Sequence, residues 1–192
     1  MFAALLDTCV LWPSLQRDFL LSLAVEGMYR PLWSSAILEE LRFHERAKLV
    51  TRGLDPEEAQ RRADFLIETM SKEFDDAEVE GWEALEGSYG LPDPDDEHVV
   101  AAAVLGSAGA IVTLNTTDFP RERVPRHIDV VAPSRFAANT VELDPPRGLD
   151  TVTAIVSRSG RKGPVLTDEE VLDRLVERYA MQEVVAILRA AR

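Results

Sequence analysis

Cysteine is almost absent from this sequence of 192 residues, in which Cys9 stands alone. A single cysteine excludes an internal disulfide and provides no zinc-binding cluster. Long apolar runs are also missing, since no stretch approaches the roughly 20 residues of a membrane-spanning helix. Residues 1–7 lack a basic region and reach an acidic residue too early for a signal peptide. We therefore expect a cytoplasmic protein that has no membrane partner.

Basic residues are few, with 21 Lys and Arg against 34 Asp and Glu, giving a net charge of −13. This balance argues against a protein that grips nucleic acid through a broad basic surface. It does not exclude a nuclease, because divalent cations bound to an acidic site offset the charge of its carboxylates. The hydrophobic content of 46% excludes a disordered chain and suits one domain with an appendage, or two small domains.

The first two thirds of the chain alternate strand-like and helix-like segments. Residues 2–6 form a nearly continuous apolar run, which is typical of a strand buried on both faces. Further strands are predicted at 29–33, 110–114 and 129–132, with helical spacing of apolar residues between them. Residues 78–91 carry a mixed signal that fits either a short strand or a packed loop. The alternation predicts an α/β fold with a parallel central sheet and helices on both faces.

The last third of the chain carries only helical patterns. Residues 134–143 read as a helix, and residues 144–148, Asp-Pro-Pro-Arg-Gly, read as a linker. We interpret residues 1–133 as the main domain and residues 134–192 as a helical C-terminal extension. The extension packs either on the main domain or on a partner.

Four acidic residues lie at the edges of the predicted elements. Asp7 ends the first strand, Asp118 follows the strand at 110–114, Asp96 opens a helix rich in Ala and Val, and Glu40 lies inside a helix. In open parallel sheets, ligands bind beyond the carboxyl ends of the strands. Carboxylates gathered there hold hard divalent cations such as Mg²⁺ or Mn²⁺, the usual means of hydrolysing a phosphodiester.

Most of these acids also have an ordinary structural explanation. Asp96 favours the helix dipole behind the cap made by Asp93 and Pro94, Glu40 fits a solvated helix charge, and Asp118 fits turn chemistry. Asp7 is harder to explain, because a carboxylate directly after a buried strand costs free energy unless it is paired or metal-bound. The combination and the order of the four acids carry more weight than any one of them.

Four motifs in this order resemble the PIN-domain family of metal-dependent nucleases, which includes VapC-type toxins of type II toxin–antitoxin systems. The motifs are LLDTCVL at 5–11, WSSAILEEL at 33–41, LPDPDDEHVVAAA at 91–103 and IVTLNTTDFP at 111–120. The resemblance covers about residues 1–133. It implies a three-layer sandwich with a central, mostly parallel sheet between helices.

The resemblance also implies a ligand set for Mg²⁺ or Mn²⁺. The implied metal-binding and catalytic residues are Asp7, Glu40, Asp96 and Asp118. Many relatives carry an acid where this chain has Asn115, so either Asp118 completes the site or Asn115 holds a metal-bound water. Thr113 or Asn115 would orient a water or a phosphate oxygen. Further candidate residues are Asp93 and Asp95.

The function implied by the resemblance is that of an endoribonuclease that acts as the toxin of a bacterial toxin–antitoxin pair. Its partners would be RNA, a cognate antitoxin and a second copy of the chain in a homodimer. Two alternatives stay open: a housekeeping RNA-processing nuclease without an antitoxin, and a non-catalytic PIN-like module that binds nucleic acid or protein.

Three other features have two interpretations each. Trp12 fits either a ring that stacks on a nucleobase or a rim aromatic. His98 projects away from the acidic residue two positions before it, which indicates packing or a surface role. Arg158, Arg161 and Lys162 form either a solvated loop or a contact to RNA phosphates.

Overall fold

A computed structural model describes residues 1–160 and 164–192 of the chain. Within this part, five strands form one parallel sheet in the order β3-β2-β1-β4-β5. The strands are β1 (Ala3–Leu6), β2 (Arg30–Ser34), β3 (Glu78–Val79), β4 (Ala110–Val112) and β5 (Asp129–Val131). The parallel α/β sheet predicted from the sequence is confirmed, and the ambiguous segment at 78–91 contributes a two-residue strand.

Strand β1 lies at the centre of the sheet. Leu5 is in register with Leu32 of β2 on one side and with Ile111 of β4 on the other. Leu5 and Leu6 are fully buried, because helices cover both faces of the sheet. This position explains why β1 reads as a continuous apolar run rather than as an alternating one.

Helices surround the sheet and continue beyond it. The described helices are α1 (Thr8–Leu11), α2 (Ser14–Val25), α3 (Ser35–Thr51), α4 (Pro56–Glu73), α5 (Glu97–Leu105), α6 (Pro133–Leu143), α7 (Pro145–Arg158), α8 (Asp168–Tyr179) and α9 (Gln182–Ala190). Short 3₁₀ turns occur at Trp82–Leu85, Pro94–Asp96 and Thr116–Asp118. In the part of the chain that the structure describes, no helix is both long and apolar enough to cross a membrane.

The linker predicted at residues 144–148 is wrong, because these residues begin helix α7. The side chain of Asp144 caps the helix by accepting a hydrogen bond from the Arg147 N–H at 3.3 Å, and the two prolines fit its first turn. Gly148 allows close packing, since a Cβ atom there would lie 2.7 Å from a methyl group of Leu188. The same residue types that mark linkers therefore serve here to start and pack a helix.

The C-terminal helices pack on the sheet domain. The rings of Tyr29 and Phe136 meet edge to face with centroids 4.8 Å apart, and one hydrophobic core runs from β1 to α9. Arg158, at the end of α7, donates to Asp18 of α2 at 2.9 Å. It is thus held in an ion pair, while Arg161 and Lys162 lie outside the described residues. Core packing crosses the boundary proposed after residue 133.

Candidate functional site

A pocket of about 400 Å³ opens at the carboxyl edge of the sheet. It is lined by Asp7, Thr8, Cys9, Trp12, Glu40, His44, Asp96 and Asn115. Three of the four acids singled out in the sequence therefore surround one cavity, because β1, α3 and the turn before α5 all deliver residues to this edge. Asp118 is not among the lining residues.

Asp7 follows β1 directly and is only 7% exposed. Its backbone N–H continues the sheet by donating to the Val112 carbonyl at 3.1 Å. The Thr113 hydroxyl donates to Oδ2 at 2.6 Å, and the Cys9 thiol donates to the same oxygen at 3.1 Å. Among the described residues, no donor reaches Oδ1. One oxygen of this buried carboxylate is therefore fixed, while the other remains available for a ligand.

The Cys9 thiol stays protonated beside this carboxylate. Burial and the negative charge of Asp7 raise the pKa of Cys9 to about 12. A protonated thiol is a hydrogen-bond donor and a poor metal ligand, because metal binding needs the thiolate. Cys9 therefore acts as a support for Asp7.

Glu40 is held by two neighbours on its second helical turn. The Thr8 hydroxyl donates to Oε2 at 2.7 Å, and Nε2 of His98 lies 3.3 Å from Oε1. Burial acts to raise the pKa of Glu40, but the contacts with His98 and Thr8 outweigh it and lower the pKa. Glu40 is therefore an ionised carboxylate with a fixed position.

His98 is buried, in line with a packing role, but it also contacts a proposed ligand. Its Nδ1 lies 3.5 Å from the Ser34 hydroxyl, and its ring meets Trp82 edge to face at 5.8 Å. Spacing along helix α5 alone sends His98 away from Asp96, but helix α3 brings Glu40 to the imidazole, a contact that the spacing does not reveal.

Asp96 ends the 3₁₀ turn that leads into α5. Its pKa is raised to about 6, first by burial and then by the negative charges of Asp7, Asp93 and Asp118. Neighbouring carboxylates that raise the pKa of Asp96 create a local negative field that attracts cations. Together with the available oxygen of Asp7, this oxygen-rich, anionic donor set fits a hard cation such as Mg²⁺ or Mn²⁺ better than a soft one.

The remaining candidate residues lie at the margin. Asp93 caps its own turn by accepting from the Asp95 N–H at 3.0 Å, and both side chains are exposed. Asn115 lines the pocket, and its backbone N–H donates to the buried Thr113 hydroxyl at 3.0 Å. Within residues 1–160 and 164–192, no group of three or more His, Cys, Asp or Glu side chains is gathered closely enough to hold a metal ion.

Glu97 is a residue of this region that the sequence analysis missed. It is 3% exposed and accepts hydrogen bonds from the backbone N–H groups of Tyr89 at 3.0 Å and Leu91 at 2.9 Å. Burial acts to raise the pKa of Glu97, but these and further backbone donors outweigh it and lower the pKa. The carboxylate thus fixes the loop that leads to the acidic turn at Pro94–Asp96. In the sequence it is one more acid in a run of acids.

The replacement Asp96→Asn is expected to stabilise the protein at neutral pH in the absence of divalent cations. Because the folded-state pKa of Asp96 is raised, its ionisation destabilises the fold, and this penalty grows as the pH rises from about 4 to about 6. After allowance for solvent screening, the gain in free energy of unfolding is about 1 kcal/mol at pH 7 to 8. It should be small near pH 4, where Asp96 is protonated in the folded state and only about half ionised in the unfolded state. Urea unfolding of the wild type and Asp96→Asn in EDTA at pH 4 and pH 8 measures this gain. An equal difference in free energy of unfolding at the two pH values contradicts the raised pKa of Asp96.

Comparison with known families matches residues 3–117 to a model described as a PIN domain. The match covers more than half of the chain, which therefore belongs to the PIN-domain family, whose members are usually metal-dependent nucleases. Asp7, Glu40 and Asp96 lie inside the matched region, and Asp118 lies one residue beyond it. Comparisons with curated proteins and with solved structures gave no match.

Proposed function

We propose that this protein is a metal-dependent endoribonuclease that hydrolyses phosphodiester bonds of RNA. The observation that carries the proposal is the pocket at the carboxyl edge of the sheet, which Asp7, Glu40 and Asp96 line in a chain of the PIN family. We further propose that it is the toxin of a bacterial toxin–antitoxin pair, with a cognate antitoxin and a homodimeric state. This finer assignment is supported by the motifs and by an acidic surface that suits a basic partner.

Asp7, Glu40 and Asp96, with Asp118 or Asn115 at the margin, would hold Mg²⁺ or Mn²⁺. When bound, such an ion supplies Lewis acidity that activates water and offsets the charge of the phosphate. The chain itself supplies the fixed positions of the carboxylates. Because hydrogen bonds lock Asp7 and Glu40 before any ligand arrives, little conformational entropy remains to be lost on binding.

Thr113 and Asn115 were both candidates for orienting a water or a phosphate oxygen, and we assign them different roles. The Thr113 hydroxyl is fully buried, donates to Asp7 and accepts from the backbone of Asn115. It is therefore a positioning residue for Asp7. The Asn115 side chain is exposed at the pocket, which suits an amide that orients a water or a phosphate oxygen of the substrate.

A second candidate function is a non-catalytic PIN-like binding module. It is favoured by the spacing of the acids, since no three of the described metal-binding side chains are gathered as a ready-made site. A housekeeping nuclease is the remaining alternative, and a small open reading frame next to the gene, encoding an antitoxin, would argue against it.

Cleavage of total bacterial RNA by the purified protein tests the proposal. We expect discrete products with Mg²⁺ or Mn²⁺ and none with excess EDTA, since the activity depends on the cation. Isothermal titration calorimetry with Mn²⁺ provides a readout that does not depend on choosing the right RNA. Absence of both cleavage and Mn²⁺ binding would reject the nuclease and favour the binding module.

A further inference from the structure

An exposed tryptophan stands at the rim of the acidic pocket. Trp12 is 41% exposed and lines the same cavity as Asp7 and Asp96, whereas Trp33 and Trp82 are buried. An indole ring that stays open to solvent at a pocket gains free energy when a flat apolar group covers it. The ring is therefore a candidate contact for a ligand that enters the pocket.

The tryptophan is held in place before any ligand arrives. The backbone N–H of Trp12 donates to the Thr8 carbonyl at 2.9 Å, and Nζ of Lys48 donates to the Trp12 carbonyl at 3.4 Å. The same Nζ lies 5.8 Å from the centroid of the indole ring, within the range of a cation–π contact. Lys48 is in turn held by Ser14 and by an ion pair with Glu45.

A second ring completes the corner. His44 also lines the pocket, and its ring centroid lies 6.3 Å from that of Trp12 at an interplanar angle of 63°. Two exposed rings that meet at an angle offer a flat ligand one face to stack on and one edge to contact. Every nucleobase has such a flat face, and stacking on an aromatic side chain is worth roughly 1–3 kcal/mol per base.

Basic side chains lie beside the tryptophan. Lys48, which contacts the Trp12 ring, interacts electrostatically with two further cations, Arg17 and Arg52. Arg17 and Lys48 both pair with the buried carboxylate of Glu45, and Arg52 is exposed. In a protein with a net charge of −13, these cations suit the phosphates that flank a nucleobase.

We propose that Trp12 and His44 form a stacking subsite for an unpaired RNA base next to the acidic pocket. The identity of the ligand as RNA rests on the proposed nuclease function, whereas the stacking itself does not require cleavage. Bases inside an A-form helix have both faces covered by their neighbours, so only a base in a loop, bulge or single strand fits. The subsite therefore selects unpaired nucleotides beside the bond that is cut.

Binding of fluorescein-labelled single-stranded oligoribonucleotides tests the subsite without relying on hydrolysis. Affinity is measured by fluorescence anisotropy for the wild type, Trp12→Leu and Trp12→Phe, in EDTA and in Ca²⁺, which also takes oxygen ligands. We expect Trp12→Leu to weaken binding roughly 5- to 100-fold and Trp12→Phe to retain most of the affinity. Phe65→Leu is the matched control, because Phe65 is 60% exposed but does not line the pocket.

A second arm separates stacking from a general loss of structure. Oligonucleotides with a single abasic position should bind the wild type more weakly than intact RNA where that position meets the rings, and Trp12→Leu should not distinguish the two. If Trp12→Leu and the wild type bind RNA with equal affinity, the stacking proposal is rejected. It is also rejected if the wild type binds no RNA in EDTA or in Ca²⁺. Either result would favour a protein partner as the contact of the exposed ring. A nuclease-active protein with unchanged Trp12→Leu binding rejects the subsite alone, and an inactive protein with the expected binding loss rejects only the catalytic proposal.

Discussion

Asp7→Asn should lower the rate of RNA cleavage by at least about 100-fold while the protein stays folded. Asparagine has the same size and still accepts the hydrogen bond from Thr113, so the end of β1 is preserved. It removes a negative charge from the proposed cation site, and charge stabilisation by a bound cation contributes several kcal/mol to lowering the barrier, at 1.36 kcal/mol for each factor of ten. Initial rates on an RNA that the wild type cleaves measure the loss.

Two adjacent glutamates on helix α3 provide a second test and a control for Asp7→Asn. Glu40→Gln weakens the contacts to Thr8 and His98 and should share most of the loss, whereas Glu39→Gln removes an exposed charge and should leave the rate unchanged. A thermal shift on addition of Mg²⁺ should appear in the wild type and disappear in Asp7→Asn. Cleavage by Asp7→Asn at the wild-type rate would refute the role of this residue.

Glu97→Gln is expected to lower the free energy of unfolding by about 2 kcal/mol at pH 7, since hydrogen bonds to a buried charged group contribute about that much. The carboxylate accepts from the backbone of Tyr89 and Leu91, and an amide turned towards these N–H groups can accept through only one of its two ends. The loop before the acidic turn should loosen, so the affinity for Mn²⁺ should fall as well. Urea unfolding and calorimetry measure the two effects.

The dependence of this loss on pH distinguishes it from a simple change in packing. Because the folded-state pKa of Glu97 is lowered, its stabilisation is fully present above about pH 4.5 and is lost as the pH falls further through the folded-state value. The difference between wild type and Glu97→Gln should therefore shrink in acid. Glu86→Gln, at an exposed acid of the same loop, is the control and should be nearly neutral. A constant difference at all pH values would argue against the hydrogen-bonded carboxylate.

The central strand and the edge of the sheet that carries the pocket follow directly from the sequence. Leu5 and Leu6 lie in a continuous apolar run because β1 is covered on both faces, and the parallel topology then sends Asp7 to the carboxyl edge. The helix start at residues 144–148 could not be predicted in the same way. Proline and glycine are common in linkers, but proline also fits the first turn of a helix and glycine also allows close contact between helices. Only the neighbouring helix, with Leu188, decides between the two.

The supporting contacts of the site could not be predicted from the sequence. His98 and Glu40 belong to different helices, and their contact depends on how α3 and α5 pack across the sheet. Glu97 stands in an acidic run, where its burial and its backbone partners leave no trace in the residue pattern. Spacing along one helix describes local geometry, whereas these contacts arise from the packing of distant segments.

The order of the strands also determines when the site can exist during synthesis of the chain. Strand β1 is the first of the five strands to be made but gains its second neighbour late, because β2 follows within thirty residues whereas β4 begins only at Ala110. Asp7 therefore meets Thr113 and Asp96 only after most of the sheet domain has left the ribosome. A nascent chain that ends before β4 has no assembled pocket, so the topology delays the proposed RNA-binding site until most of the sheet domain has been synthesised.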